Sequence, residues 1–362
     1  MFQPNAIVIS HEHLDHVDPW FLARVPSHVP VIIHQYPSPA LKHKILSGGY
    51  RPVIDLPAWQ RTDLPGGGSV FFVPEESPMN HDAAIVIEGE ERTILNLNDA
   101  RLSPVQFREI RARVQGTIDL LCLQGAGASW YPVCYAYPEQ RRRELARRKR
   151  FAKFAYVARA VRVVEPGAVL PFAGPPCFLD PDLFHHNAEL DKGIFPDQQQ
   201  VADWLNHRGI HNTVVLLPGD KWDPVQRRKG PDPIWNGFAF ADRLPYLQAY
   251  AERRRPQVQA VLARHPEPNM SLWGEFCEYF TRLLEMSPYF NRRINMRVGF
   301  DITGPGGGQW AVDFRAGTAG VFQSLDGCSY RYRLASRLLP PLLTGAVPWE
   351  DFTSSPLRLA RA

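Results

Sequence analysis

The segment His11-Glu12-His13-Leu14-Asp15-His16 places three imidazoles and the Asp15 carboxylate within six residues, directly behind the apolar run Ala6-Ile7-Val8-Ile9-Ser10. Neutral imidazole and carboxylate form the donor set that suits zinc and iron. With the apolar run as a strand, side-chain alternation aims His11 and His13 the same way. The turn that follows then brings Asp15 and His16 to a second position beside the first, so the spacing accommodates one ion or two. The alternative is a polar loop that happens to be rich in histidine. The regular HxHxDH spacing behind an apolar strand argues against it.

The elements that must hold these side chains follow from hydrophobic pattern. A strand over 5–10 leads into the motif, and Val29 to His34 is a second short strand before a helix from Pro39 to Leu46. Ser69 to Val73, Ala83 to Glu88 and Thr93 to Leu97 read as strands, with Glu88-Gly89-Glu90-Glu91 as the turn of a hairpin. Pro104 to Val114 is helical, Ile118 to Leu123 a strand, Pro138 to Val164 a basic helix and Gly167 to Ala173 another strand. This order predicts a layered α/β domain whose sheet ends carry the ligands. Val201 to His207 and Arg243 to His265 read as helices, and Pro218 to Trp235 as a long loop. From Ser271 the pattern is α+β: a helix through Leu284, strands near 295–302 and 309–315 joined by the turn Gly304-Pro305-Gly306-Gly307-Gly308, and a helical close. No Lys-Ser/Thr follows that glycine run, so it is not a phosphate loop.

Composition sets the frame. The chain has 362 residues, enough for two or three domains, and its 44% hydrophobic and 22% charged content are those of a globular protein. No run reaches the roughly 18 to 20 apolar residues needed to span a bilayer, and Met1-Phe2-Gln3-Pro4 starts no signal peptide. A cytoplasmic location without a membrane span is the expectation. Cys122, Cys134, Cys177, Cys277 and Cys328 form no CxxC pair, which points to thiols rather than disulfides, and no CxH with a matching CxxH offers Rieske iron-sulfur ligands. The net charge of +4 is mild and predicts no nucleic-acid partner. It is concentrated in Arg141-Arg142-Arg143, Arg147-Arg148-Lys149-Arg150, Lys153, Arg159 and Arg162, on a helix whose other side is apolar. That face is either simply solvated or a wall that attracts an anion.

The HxHxDH motif resembles that of the metallo-β-lactamase superfamily. The resemblance implies an αββα sandwich with a third histidine, a bridging carboxylate and a last ligand after a later strand. His81 and Asp82, just ahead of the strand at Ala83, stand where the third ligand is expected, and Asp99 stands where the bridging aspartate is kept. Asp180, His185 and His186 share the last position without a clear winner. Members of this fold run several strands before the motif, whereas about ten residues precede it here. The expectation is a sandwich without its first strands, in which either an N-terminal portion is missing or another element covers the first sheet.

The order of Asn96 to Ala100, Gln124-Gly125-Ala126-Gly127-Ala128-Ser129-Trp130-Tyr131-Pro132, the basic helix and Pro171-Phe172-Ala173-Gly174 is similar, over about residues 5 to 185, to the catalytic region of CMP-N-acetylneuraminic acid hydroxylase. Two departures matter. Asp180 stands where that family has a histidine, and the family histidine near His81 aligns a few residues earlier, leaving Asp82 better matched. The family also carries a Rieske domain, which this sequence lacks. The implied organisation is a metal-binding catalytic domain over 1–195, a helical and loop connecting region over 196–270 and an α+β unit over 271–362. The last, with Trp310-Ala311-Val312-Asp313-Phe314, resembles a sterol-carrier-like module and is equally readable as a lid or a dimerisation unit, with a homo-oligomer as the consequence.

Two chemistries suit this site. An oxygenase or hydroxylase would hold one or two irons on His11, His13, Asp15, His16, His81, Asp82, Asp99 and Asp180, and would draw electrons from a separate protein. Its anionic small-molecule substrate would lie against Gly125, Gly127, Ser129 and Arg148, where glycine lets the backbone approach closely. A hydrolase would instead use zinc to acidify a water, with Asp15 orienting the hydroxide toward an ester, lactone or phosphodiester.

Overall fold

The computed structural model describes residues 4–13, 15–49, 51–77, 82–126, 131–133, 135, 137–181, 183–188, 193–347 and 349. Residues 1–127, 150–176 and 195–240 form one unit, and residues 128–149, 177–194 and 241–362 form another. Among the described residues no helix is long and apolar enough to cross a membrane.

In the first unit, short β-branched runs make the strands and capped segments make the helices. The order is β1 (Ile7–Ile9), α1 (Pro19–Leu22), β2 (Val31–His34), α2 (Ala40–Ser47), β3 (Val53–Leu56), β4 (Thr62–Asp63), β5 (Ser69–Pro74), β6 (Ala83–Glu88), β7 (Thr93–Asn96), α3 (Pro104–Arg113), β8 (Leu120–Gln124), α4 (Glu139–Val164), β9 (Ala168–Phe172), α5 (Gln198–Asn206), β10 (Lys221–Asp223) and β11 (Arg228–Gly230). The unit boundary falls within α4. β1, β2 and β3 form a parallel sheet in that order, with Ile7 opposite Val31 and Val31 opposite Val53. The second sheet runs β4-β5-β6-β7-β8-β9, antiparallel up to β7 and parallel from β7 to β9.

Alternation along β5 shows how the layers stack. Val70 and Phe72 join Ile32 and Leu56 of the first sheet, together with Ala83 and Ile85, in a core between the two sheets. Phe71 and Val73 point the other way, into the cluster with Phe107 and Ile110 of α3, Phe154, Val157 and Val161 of α4, and Val201 and Leu205 of α5. On the outer face of the first sheet, Ile9, Val31 and Ile33 pack on Leu22, Leu41 and Ile45. The unit is therefore mixed α/β with four layers: helix, sheet, sheet, helix. The termini of its helices are chemically specified. Ser103 and Gln106 form a reciprocal cap at the start of α3, and Asp197 and Gln200 do the same for α5.

The second unit adds α6 (Arg243–Ala263), α7 (Trp273–Met286), α8 (Pro288–Ile294), β12 (Arg297–Thr303), β13 (Gly308–Asp313), β14 (Gly320–Phe322), β15 (Tyr330–Ala335) and α9 (Leu339–Leu343). Its sheet runs β14-β13-β12-β15, over a core of Phe276, Phe280, Phe300, Trp310 and Val312.

Three sequence expectations are corrected. Pro218 to Trp235 is not one long loop: β10 and β11 pair as an antiparallel hairpin, with Lys221 opposite Gly230. The buried carboxylate of Asp220 organises it, accepting from the backbone N–H groups of Leu217 and Asp232 and from Lys229 Nζ. The C-terminal region has four strands, not two, because β14 and β15 are short or polar-alternating runs that pair with β13 and β12. β3 was also not foreseen; it is a four-residue strand interrupted by Asp55, which binds Lys42 Nζ at 2.5 Å.

Candidate metal centre

The ends of four strands meet at the centre. His11 and His13 follow β1, Asp99 follows β7, Gln124 is the last residue of β8, and Asp82 immediately precedes the antiparallel β6. A site outside the carboxyl ends of strands is the usual place for a ligand in an α/β fold. Beyond β1 the chain turns sharply, with the N–H groups of His16 and Val17 both donating to the His13 carbonyl at 2.9 Å. Buried Val17 anchors this turn in the core. Lys44 Nζ donates to the Glu12 carbonyl at 2.6 Å, and Tyr36 Oη donates to the Ser10 carbonyl.

His11 is almost wholly buried, at 1% exposure. Its Nε2 lies 2.8 Å from His13 Nδ1, and its other nitrogen, Nδ1, lies 2.8 Å from Asp82 Oδ1 and 3.0 Å from Ser10 Oγ. The same serine oxygen is 3.3 Å from His16 Nδ1, while His16 Nε2 is 3.4 Å from Asp99 Oδ1. Ligand atoms of His11, His13 and Asp99 all lie within 4.8 Å of one another. Asp99 is turned into this group by a local device. Asn98 takes a left-handed φ of 49°, its N–H donating to Asn96 Oδ1 and its side-chain amide to the Ala83 carbonyl. Gln124 Nε2 donates to Asp99 Oδ1.

Charge reinforces the geometry. Burial opposes a charge on His16, but the hydrogen bond to Asp99 and the charges of Asp99, Asp15 and Asp82 overcome it, and its pKa is raised. Burial likewise opposes ionisation of Asp99, yet the His16 hydrogen bond and the charges of His16, His11 and His13 hold its carboxyl below the usual range. Burial, together with the charges of Asp82 and Glu12, pushes the Tyr36 phenol upward and keeps it a proton donor.

Of the residues singled out from the sequence, His11, His13, His16, Asp82 and Asp99 come together. Asp15 stands at the margin, its carboxylate 71% exposed and 3.7 Å from His16 Nε2. His81, Gly127 and Ser129 lie outside the described residues. Asp180, His185, His186 and Arg148 belong to the second unit. Gly125 has a packing reason for lacking a side chain, since a Cβ there would stand 2.6 Å from Val201 Cγ2. Among the basic residues, Arg142 and Arg143 pair with Glu139 and Arg141 with Glu144, so part of that face is locally neutralised. Ser10, Gln124, Tyr36 and Asn98 were missed. The available signals were a polar residue closing an apolar strand, for Gln124 and Ser10, and an asparagine before an aspartate at a strand end, for Asn98.

No protein-family model matches the chain. A Mycobacterium tuberculosis protein whose name describes a Rieske 2Fe-2S iron-sulfur protein is 30% identical over 273 residues, covering 71% of this chain and 52% of that protein. A Mycolicibacterium smegmatis protein of like name is 29% identical over 272 residues, with the same coverage. The chain thus spans about half the length of the curated relatives it matches. Among solved structures, CmlA, a diiron β-hydroxylase from Streptomyces venezuelae, overlaps 59% of this chain and 44% of its own at 18% identity and a TM-score of 0.39. The metallo-β-lactamase fold protein YhfI from Bacillus subtilis overlaps 53% of this chain and 72% of its own at 17% identity and a TM-score of 0.33.

Proposed function

We propose that the first unit is a metal-dependent enzyme of the metallo-β-lactamase type, and that its reaction is the iron-dependent hydroxylation of an anionic small molecule. One observation carries the metal reading: the convergence of His11, His13 and Asp99 ligand atoms within 4.8 Å, with His16 against the same carboxylate. The donor set fits an ion, because imidazole nitrogens and a carboxylate held in its ionised form suit iron and zinc alike.

In this reading His11, His13 and Asp99 hold the ion, and His16 stands beside Asp99 as the start of a second position. Iron bound there would supply activation of dioxygen. The protein's part is to orient and to handle protons. Asp15, exposed beside His16, takes a proton from water or substrate at the mouth of the site. Buried His11 and the core beneath it keep water from the inner face. Hydroxylation consumes electrons, and relatives named as Rieske iron-sulfur proteins support an iron-sulfur donor, within a longer chain or on a separate protein.

Zinc-dependent hydrolysis of an ester, lactone or phosphodiester is the second reading. It rests on the same donor set and on Asp15, which would orient a zinc-acidified water. Elemental analysis of purified protein together with an oxygen electrode separates the two. Iron with substrate-dependent oxygen uptake is the expected result, and zinc with turnover of a generic ester or phosphodiester would replace it. His11→Ala/His13→Ala is expected to lose the ion; metal content unchanged in that variant would refute both readings.

A further inference from the structure

The core of the second unit opens toward one end. Parallel pairing sets Val298 opposite Tyr330, Phe300 opposite Tyr332 and Ile302 opposite Leu334, so these pairs stand in rows on one face of the sheet. Helical spacing puts Phe276, Phe280 and Leu283 on one face of α7. Ile302, Leu334 and Phe276 are buried, whereas Tyr330, Tyr332 and Leu283 are only half-buried. The space left at that end is a cavity of about 580 Å³, within the roughly 300–1,000 Å³ of small-molecule sites.

The lining selects the kind of molecule that fits. Seven of its eleven residues are aromatic and none carries a charge. A charged group taken in there would lose its hydration and find no counter-charge. Ring faces favour a flat ring over an alkyl chain, because rings in contact attract beyond the area they bury. The cavity also offers a donor. Trp349 Nε1 donates to Tyr279 Oη at 2.8 Å. A phenol oxygen that accepts in this way keeps its own hydrogen to give, and among the described residues no acceptor takes it. We propose that this cavity binds an uncharged aromatic molecule of one or two rings, oriented by a carbonyl oxygen that accepts from the Tyr279 hydroxyl. The proposal stands apart from the metal-centre reading, since every lining residue belongs to the second unit.

The test is calorimetric titration of the whole chain with 2-acetylnaphthalene. Two other probes accompany it: 2-ethylnaphthalene, which keeps the rings and lacks the acceptor, and 2-nonanone, which keeps the ketone on an alkyl chain. Saturable binding of one 2-acetylnaphthalene per chain, tighter than 2-nonanone, is the expected result. Tyr279→Phe is expected to weaken 2-acetylnaphthalene about 3–10-fold and to leave 2-ethylnaphthalene unchanged. Equal weakening of both would trace the loss to Trp349 and the cavity's shape, and overturns the role given to the hydroxyl. Leu283→Trp fills the cavity and is expected to abolish binding of both naphthalenes; binding that survives lies elsewhere and overturns the proposal. Should neither variant fold, the wild-type chain still decides. No saturable binding of 2-acetylnaphthalene overturns the proposal, and so does 2-nonanone binding as tightly. A wild-type dimer that Leu283→Trp converts to a monomer overturns it as well, because a second copy would then cover the cavity.

Discussion

Gln124 closes β8 and donates to Asp99 Oδ1, the same oxygen that faces His16 Nε2. An amide that donates to one carboxylate oxygen limits how the carboxylate can rotate and leaves the other oxygen for a further partner. Gln124→Leu removes that restraint without adding charge and is expected to weaken zinc binding about 10–100-fold. Gln124→Glu, which sets a second carboxylate against the first, is expected to hold Asp99 protonated to higher pH. Chelator competition measures the former and a pH series of the same titration the latter; affinity in Gln124→Leu equal to wild type would show that Asp99 is held by its own loop alone. The limit of sequence reading is visible at this residue. His11, His13 and His16 announce themselves because three imidazoles fall in one short segment. Gln124 and Ser10 act across 25 and 6 positions of chain on partners of another type, and nothing in a single polar residue at a strand end distinguishes a restraint on a ligand from an ordinary turn.

Gly125 shows the same limit at the level of elements. A glycine after a strand, beside a possible anion site, reads as a place where a ligand meets bare backbone. In the fold it is where the chain leaving β8 meets α5, and the missing Cβ makes room for Val201 Cγ2. Gly125→Ala therefore overpacks a layer contact, with an expected loss of about 1–3 kcal/mol, and Val201→Ala in the same chain should recover much of it. A double-mutant denaturation cycle checks this: additive losses would mean that the two sites do not meet. Elsewhere the elements were legible where local chemistry sufficed. The strands β5 to β7 follow from their apolar runs, and α3 begins at Pro104 as its pattern predicts. The hairpin of β10 and β11 was not, because what closes it is one buried aspartate whose partners are spread from Leu217 to Asp232. Four-residue β3 and three-residue β14 hold too few side chains to show a period, and their pairing partners decide them.

At the scale of the whole molecule, the two units have separate hydrophobic cores, and each holds a buried aspartate in its ionised form. In the first unit, burial would raise the Asp220 carboxyl, but Lys229 and the N–H groups of Leu217 and Asp232 outweigh it and hold it at about 2. In the second, Asp313 ends β13 and is bound by Arg315 through Nη2 at 2.6 Å and Nε at 2.9 Å, and by the Thr318 hydroxyl at 3.2 Å. Arg315 leads these in bringing the Asp313 carboxyl down to about 2. An unfolded aspartate titrates near about 3.9, so below that pH the unfolded chain binds the proton more readily than the folded one. The stabilisation is complete above about pH 4 and drains away as pH falls toward 2. Asp313→Asn should lower the stability of the second unit by about 1–3 kcal/mol at neutral pH and flatten its loss between pH 4 and 2. The first unit retains Asp220 and should keep its own acid limb and its zinc affinity. Urea unfolding over a pH series, followed by a probe in each unit, measures both limbs at once. An acid limb in the second unit as steep in Asp313→Asn as in the wild type would remove Asp313 from the account, and a parallel change in zinc affinity would mean that the units do not keep their stabilities apart.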